Sequence, residues 1–264
     1  MNETHGHVFQ NLFKELKSDK TIDSWLFVNS PWPVCSILAL YLTFVFKLGP
    51  KLMKNREPIN IKYMVLFYNL MQTIFNSYIL AYQLIRPEVF NYLWNHACHP
   101  DNTKSNIAHE IHVASWYFAF SKILDLLDTV FFVLKKKQSH ISFLHVYHHV
   151  NMVITCFAHL RFIKSENAAI GTIINSFVHV VMYSYYFLTA LGPSIQKHLW
   201  WKKYLTRIQI IQFIIGMLYC AGLFVFNCTF SRIFIAYIFA DVFLFLYLFV
   251  KFYKKTYKQK NKTQ

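Results

Sequence analysis

Acidic residues are scarce in this chain of 264 residues: 12 Asp and Glu stand against 27 Lys and Arg, which gives a formal net charge of +15. An excess of this kind is compatible with nucleic-acid binding. The basic residues, however, lie between long apolar runs and in the C-terminal tail. This pattern favours a membrane surface and anionic ligands as partners and argues against nucleic acid.

Two sequence features that mark other classes of membrane or secreted protein are also missing. The first 23 residues contain no apolar run after a basic stretch, so we expect no cleavable signal peptide. We find neither an internal repeat nor an interrupted-helix pattern shared by the two halves of the chain. Because such repeats are common in secondary transporters, their absence argues against that class.

Apolar residues dominate the composition, with 55% hydrophobic residues, 19% aromatic residues and a mean hydropathy of +0.29. One soluble domain of this length would carry far less apolar surface, so the sequence predicts an all-α polytopic membrane protein. We expect a single domain, 1–264, with an N-terminal segment at 1–24, a seven-helix bundle at 28–252 and a basic tail at 253–264. The seven predicted transmembrane spans lie near 28–48, 62–85, 113–134, 142–162, 168–190, 205–226 and 232–252.

The loops between these spans differ in charge. Lysine and arginine are concentrated after the first, third, fifth and seventh spans and are sparser in the alternate connections. The positive-inside rule therefore places the N-terminus outside the cytosol and the C-terminus within it.

This topology places Cys98 and Cys228 in two loops on the non-cytosolic side. Because that compartment is oxidising, we predict a disulfide between them, with two free thiols as the alternative. Two glycosylation sequons, at Asn2 and Asn227, lie on the same side. Asn2 is the more accessible acceptor, whereas Asn227 is close to the membrane and its sequon contains Cys228.

The segment His145-Val146-Tyr147-His148-His149 opens the fourth span. On a helix, offsets of three and four residues place the three imidazoles within about 100° of one another. Such a group can bind a metal, transfer a proton or attack a carbonyl carbon. Surface histidines at a helix start are the alternative. Since this helix continues into the bilayer, where ionisable groups are costly, the functional interpretation is favoured.

The third span contains Lys122, Asp125 and Asp128 at steps of three residues. None of these side chains is expected to face lipid, so they predict a polar interior. An ion pair that only neutralises buried charge is the alternative interpretation for Lys122 and Asp125. Asp128 lies nearer the cytosolic end, and we expect it to orient a histidine.

A polar and aromatic stripe runs along the fifth span. Counting about 1.5 Å per residue from the cytosolic ends puts His148 about 10 Å deep and His179 about 16 Å deep, so the two could meet across adjacent helices. We expect a pocket open to the cytosol, with a basic rim and an apolar interior, which suits an amphiphile such as acyl-CoA. The stripe consists of Asn175, His179, Met182, Tyr183 and Tyr186, within roughly 100° on a helical wheel.

Together these segments resemble one enzyme family. Four segments are similar to the elongases of very-long-chain fatty acids. They are the motif from Lys122 to Thr129, the segment from His145 to His149, which we call the histidine box, the run from Asn175 to Tyr186 and the segment from Leu191 to Tyr204. The match runs in order from about residue 25 to about residue 260. Two positions depart from the family pattern: Asp125 replaces the usual glutamate, and His140 stands where many relatives carry glutamine.

The resemblance implies a 3-ketoacyl-CoA synthase of the endoplasmic reticulum. Six of seven helices would enclose a tunnel, in which malonyl-CoA condenses with a long-chain acyl-CoA to give 3-ketoacyl-CoA, carbon dioxide and CoA. No metal or other cofactor is expected. Ketoacyl-CoA reductase, dehydratase and enoyl-CoA reductase would complete the cycle. A homodimer is compatible with the sequence, although no feature predicts one.

The resemblance also suggests roles for individual residues. His148 would carry the acyl group, with His179 as its partner. Four further residues would orient the reacting groups or polarise the thioester or enolate oxygen: His145, His149, Asp128 and Asn175. The substrate site would be lined by Lys122, Asp125, Tyr183 and Tyr186. The CoA phosphates would bind to Lys136, Lys202 and Lys203. The alternative for each of these three lysines is that it only adds positive charge at the membrane surface. Lys260 and Lys262 form a candidate dilysine retrieval signal.

Two other classes remain as alternatives. Membrane desaturases and hydroxylases also use a His-x-x-His-His box, but their two-iron site needs about eight histidines in three cytosolic boxes. This chain has one such box, and His96, His99, His109 and His112 fall in a loop on the other side. A seven-helix receptor or a carrier would leave the intramembrane Lys122, Asp125, His148 and His179 without an obvious purpose.

Overall fold

A computed structural model describes residues 18–101 and 103–258, and all regular secondary structure in these two ranges is helical. The predictions for Asn2, Lys260 and Lys262 lie outside the described residues. Short 3₁₀ or π-helical turns extend or join several helices. The helices are α1 (Lys20–Asp23), α2 (Trp32–Thr43), α3 (Gly49–Met53), α4 (Lys62–Leu84), α5 (Pro87–His96), α6 (Ser105–Asp125), α7 (Leu127–Leu134), α8 (Phe143–Ala158), α9 (Ala169–Leu191), α10 (Pro193–Gln196), α11 (Lys202–Val225) and α12 (Arg232–Tyr253).

The predicted all-α architecture is confirmed, and each predicted span coincides with a long helical segment. Within the described part of the chain, four segments are long and apolar enough to cross a membrane. The other three segments, formed by α4, by α6 with α7, and by α8, are less apolar. The full set of seven crossings therefore stays a prediction. The four apolar segments are Trp32–Met53, Glu166–Leu191, Lys202–Val225 and Arg232–Tyr257.

The polar residues of α4 explain its lower hydropathy. Asn69, Gln72, Asn76 and Gln83 are all at most 3% exposed. A membrane helix can carry such side chains when they face neighbouring helices, where hydrogen bonds satisfy them, and not lipid. The lower hydropathy of α4 therefore reflects a polar face that is buried in protein.

Local sequence signals account for several helix ends. Pro33 lies in the first turn of α2, where its missing N–H is not needed, and α2 begins at Trp32, later than the predicted residue 28. The side chain of Ser142 accepts a hydrogen bond from the backbone N–H of His145 and caps α8. Helix α9 ends at Leu191 because Gly192 has a φ of 128°, a conformation that favours glycine.

Helices α4 and α9 make the most extensive helix pair, and α6 packs against both. The ring centroids of Tyr68 and Tyr183 are 5.8 Å apart at one end of the pair, and Thr172 donates a 3.1 Å hydrogen bond to Gln83 at the other. Helices α11 and α12 pack mainly against each other. The polar faces of α4, α6 and α9 therefore meet inside the protein.

The segment from Lys20 to Asn29 packs against the end of α8 and the turn that follows it. Arg161 donates a hydrogen bond to the backbone carbonyl of Val28, and Lys164 forms an ion pair with Asp23, with 2.8 Å between Nζ and Oδ1. Ile22 and Val28 are at most 2% exposed. The segment from Lys20 to Asn29 is thus fixed to the end of α8 by both charge and apolar burial.

Candidate functional site

Lys122 is the centre of a buried polar network between α6 and α9. Its ammonium nitrogen lies 3.1 Å from Oδ2 of Asp125 and donates a 3.0 Å hydrogen bond to Oδ1 of Asn175. Nδ1 of His179 is 3.3 Å from the same nitrogen. Lys122 is only 2% exposed, and an ammonium buried to this extent needs all of its donors paired. The arrangement holds His179 beside a fixed positive charge.

The two carboxylates of the third span have different partners. Oδ2 of Asp125 lies 3.5 Å from Nδ1 of His179, while Oδ1 accepts from Gln72 and from the Tyr183 hydroxyl. The same Tyr183 hydroxyl lies 2.8 Å from Oδ2 of Asp128, so its one proton is shared between the two carboxylates. Asp125 therefore lies beside His179, and Asp128 lies one turn further on, next to Tyr183. The predicted role of Asp128 in orienting a histidine stays a prediction.

The predicted stripe of α9 is largely buried, as its helical spacing indicates. Asn175, His179, Met182 and Tyr183 are each at most 9% exposed, whereas Tyr186 is 39% exposed. Nδ2 of Asn175 donates to Gln212 of α11 at 3.5 Å. Tyr186 lies at the C-terminal end of the stripe and contacts Tyr183, with 6.1 Å between ring centroids.

The histidine box forms the first turns of α8. The ring centroids of His145 and His149 are 4.4 Å apart, and those of His148 and His149 are 5.7 Å apart. Nε2 of His145 shares a 2.9 Å hydrogen bond with Oγ1 of Thr129, which is in turn 2.8 Å from the hydroxyl of Tyr41. The Thr129 hydroxyl thus fixes one ring of the box from the neighbouring helix.

His148 differs from the other two histidines in its surroundings. Its Nδ1 is buried and has no hydrogen-bond partner among the described residues. The ring of Phe245 from α12 packs edge-on against it, with 4.9 Å between centroids. Helix α6, which carries Lys122, packs against both α8 and α9. The structure therefore brings the histidine box and the Lys122 network into one interior region.

Basic residues surround the cytosolic end of this region according to the predicted topology. Lys136, Lys202 and Lys203 are all exposed. Burial lowers the pKa of His140 below its ordinary value, and the positive charges of Lys137 and Lys202 lower it further. The loops after α7 and before α11 therefore lie close together, so that lysines from both could contact one anionic ligand.

Cys98 and Cys228 form a disulfide, and the backbone N–H of Thr229 donates to the carbonyl of Cys98 at 2.9 Å. Asn227, in the second sequon, accepts a 2.7 Å hydrogen bond from Arg232. These contacts join the loop after α5 to the loop between α11 and α12.

Sequence reasoning missed several members of the polar network. Gln72 and Tyr68 on α4 contact Asp125 and Tyr183, and Gln212 on α11 contacts Asn175. The repeated amides of α4, from Asn69 to Gln83, are the signal that could have revealed this face, since polar residues in an apolar helix indicate contact with other helices. Within the described residues, no group of three or more His, Cys, Asp and Glu side chains is placed to hold a metal ion.

Comparison with known proteins adds independent evidence. The model of the ELO family, described as the GNS1/SUR4 family, matches residues 26–264. The chain is 41% identical over 217 residues to very long chain fatty acid elongase 4 of Homo sapiens, and the aligned region covers 81% of this chain and 68% of the relative. It is 37% identical over 232 residues to very long chain fatty acid elongase 7 of Rattus norvegicus, covering 87% of this chain and 81% of that relative. The chain therefore belongs to the ELO family of fatty acid elongases, as the motifs of its third, fourth and fifth spans predict.

Proposed function

We propose that this protein is a very-long-chain 3-oxoacyl-CoA synthase, which condenses malonyl-CoA with a long-chain or very-long-chain acyl-CoA. The products are a 3-ketoacyl-CoA two carbons longer than the acyl primer, carbon dioxide and free CoA. The family membership supports fatty acid elongation in general. The arrangement of the buried histidines supports this particular reaction.

The observation that carries the proposal is the buried Nδ1 of His148, which has no hydrogen-bond partner among the described residues and lies on a helix that packs against α6, the helix of Lys122. A neutral imidazole nitrogen with no hydrogen bond to lose is a suitable nucleophile for a thioester carbonyl. The nearby ammonium of Lys122 supplies a fixed positive charge in a water-poor interior, where it stabilises developing oxyanions more strongly than in water.

The reaction proceeds in two steps. A ring nitrogen of His148 attacks the thioester carbon of acyl-CoA, the carbon–sulfur bond breaks, and the CoA thiolate leaves and takes up a proton. Malonyl-CoA then loses carbon dioxide, and the electron pair of the broken carbon–carbon bond remains as an enolate. The enolate attacks the acyl carbon on His148, which forms the new carbon–carbon bond and releases the imidazole. The balance consumes one proton.

The remaining residues position the reacting groups. Lys122, His179 and Asn175 form the polar wall that polarises the thioester or enolate oxygen. Asp125 orients His179, and Tyr183 links Asp125 to Asp128. His145 and His149 hold the box in place, Tyr186 lines the entrance, and Lys136, Lys202 and Lys203 bind the CoA phosphates.

In the proposed arrangement seven helices cross the endoplasmic reticulum membrane, with the N-terminus in the lumen and the C-terminus in the cytosol. Six helices enclose the acyl tunnel, which is closed at the lumenal end. The product passes to ketoacyl-CoA reductase, dehydratase and enoyl-CoA reductase. The protein's own residues suffice for the chemistry, with malonyl-CoA and acyl-CoA as substrates and no further cofactor.

The test is to incubate detergent-purified protein with labelled malonyl-CoA and a series of acyl-CoAs of increasing length, and to identify the CoA products by mass spectrometry. We expect labelled 3-ketoacyl-CoA from the wild type. The variant His148→Ala should remain folded and form none, whereas His109→Ala, which removes an exposed histidine on the other side of the protein, should retain full activity. Folded wild-type protein that makes no such product would refute the proposal, and undiminished turnover by His148→Ala would remove this residue from the mechanism.

A further inference from the structure

Helix α12 carries one charged side chain between Arg232 and Lys251, and it is Asp241. This aspartate is 9% exposed in a helix that is otherwise among the most apolar of the chain. A carboxylate in such a position is costly, so its presence requires specific partners. The mechanism proposed above does not use it.

Among the described residues, the hydrogen-bond partners of Asp241 lie on α8, the helix of the histidine box. Tyr147 donates to Oδ1 at 3.0 Å, and Asn151 donates to Oδ2 at 2.8 Å. One turn earlier on α12, the hydroxyl of Tyr237 donates to Oδ1 of Asn151 at 3.0 Å and lies 2.7 Å from the hydroxyl of Thr155. These hydrogen bonds form a ladder between the two helices, on the side of α8 away from His145.

This ladder determines how α12 meets the histidine box. Apolar side chains allow neighbouring helices to slide or rotate, whereas directional hydrogen bonds from residues one turn apart fix both the register and the rotation. A slip of one residue would move α12 by about 1.5 Å along its axis. The residue one turn after Asp241 is Phe245, whose ring packs against His148 and is 2% exposed.

We propose that Asp241 is a positioning residue for condensation, which acts through Phe245 to hold the ring of His148 in its reactive orientation. This inference rests on the proposed function. Misplacement of a reacting group by about 1 Å can lower the rate about 100-fold. Loss of the ladder should therefore reduce turnover while substrate binding at the basic rim is preserved.

The experiment measures kcat and KM for acyl-CoA in Asp241→Leu and Asp241→Asn. Leucine leaves the donors of Tyr147 and Asn151 without an acceptor, and we expect kcat to fall about 10- to 100-fold with KM within about 2-fold of wild type. Asparagine should restore most of the rate, because the side-chain amide of Asn151 can turn so that every hydrogen bond between the two helices keeps a donor and an acceptor. A merely structural role would lower the amount of folded enzyme, and not kcat per folded molecule.

Two further measurements keep the inference testable if Asp241→Leu does not fold. Tyr147→Phe removes one rung and should lower kcat partially, whereas Tyr219→Phe, which removes a hydrogen bond to Asn167 on another face, should leave kcat unchanged. Phe245→Ala should reproduce the loss of kcat, and combining it with Asp241→Asn or Asp241→Leu should add little further loss, because both act through one contact. A wild-type kcat in Asp241→Leu or in Tyr147→Phe would overturn the inference. The proposed function would remain intact in that case, provided that the wild type forms 3-ketoacyl-CoA. A wild type that forms no 3-ketoacyl-CoA would overturn both.

Discussion

Among the described residues, two lysine–aspartate pairs contain a buried lysine, and their surroundings differ. Lys122 and Asp125 are 3.1 Å apart, with side chains 2% and 3% exposed. Lys164 and Asp23 are 2.8 Å apart, with side chains 3% and 36% exposed. The first pair is enclosed completely, whereas the aspartate of the second keeps contact with solvent.

The partners of each lysine show what the two pairs do. Lys122 faces Asn175 and His179 as well as its carboxylate, so its charge is directed into the candidate site. Lys164 donates to the backbone carbonyl of Arg161 and forms an ion pair with Asp23. The ion pair holds the segment from Lys20 to Asn29 against the end of α8. Burial of a lysine therefore does not by itself indicate catalysis. The identity of the side chains around the lysine distinguishes a candidate reactive site from a purely structural ion pair.

The largest effect is expected for Lys122→Met. Removing one member of a buried ion pair leaves the other charge uncompensated and should cost about 3–5 kcal/mol of stability. Condensation should also be lost, because His179 and Asn175 lose the ammonium between them. Thermal unfolding of the purified protein in detergent and the mass-spectrometric product assay measure the two effects.

The double variant Lys122→Met with Asp125→Leu separates charge neutralisation from function. It removes both charges and should recover part of the lost stability without any recovery of product. Recovery of condensation along with stability would show that the pair serves only to neutralise buried charge.

A smaller effect is expected for Lys164→Met. The free energy of unfolding should fall by about 1–3 kcal/mol, in the range for loss of hydrogen bonds to a charged group, because Asp23 can be hydrated once its partner is gone. The kcat of the remaining folded protein should equal that of the wild type, since the pair lies at the opposite end of α8 from the histidine box. A loss of kcat as large as that of Lys122→Met would contradict the distinction between the two pairs.

The first pair was predictable from sequence, and the second was not. Lys122 and Asp125 are three residues apart within an apolar span, so helical geometry and the cost of charge in lipid together place them in a polar interior. Lys164 and Asp23 come from segments far apart in the chain, and neither lies in an apolar run. No local pattern could pair them, because their contact depends on how the N-terminal segment folds over α8.

The same limit applies to contacts within the site. Helical spacing identified the buried faces of α6, α8 and α9, but it could not decide whether Asp125 or Asp128 would meet His179, because that depends on the packing of α6 against α9. Asp241 was overlooked for a related reason. A single carboxylate in an apolar helix gives no periodic signal, and its partners on α8 follow from the register of the two helices.

The smallest effect is expected for Asp23→Asn, and it depends on pH. Burial alone would raise the pKa of Asp23, but the hydrogen bonds from Lys164 and from the backbone N–H of Asp19, together with the positive charges of Lys164 and Arg161, hold the pKa below the ordinary value of 3.8. Because the folded-state pKa is lowered, the carboxylate stabilises the protein at neutral pH, and this contribution is lost as the pH falls below 3.8 towards the folded-state pKa. Asparagine keeps an oxygen that accepts from Lys164, so the difference at pH 7 should be under about 1 kcal/mol for this partly exposed pair. Thermal unfolding of wild type and Asp23→Asn between neutral and acidic pH should give curves that converge at the acidic end, and a gap that widens on acidification would contradict the assignment.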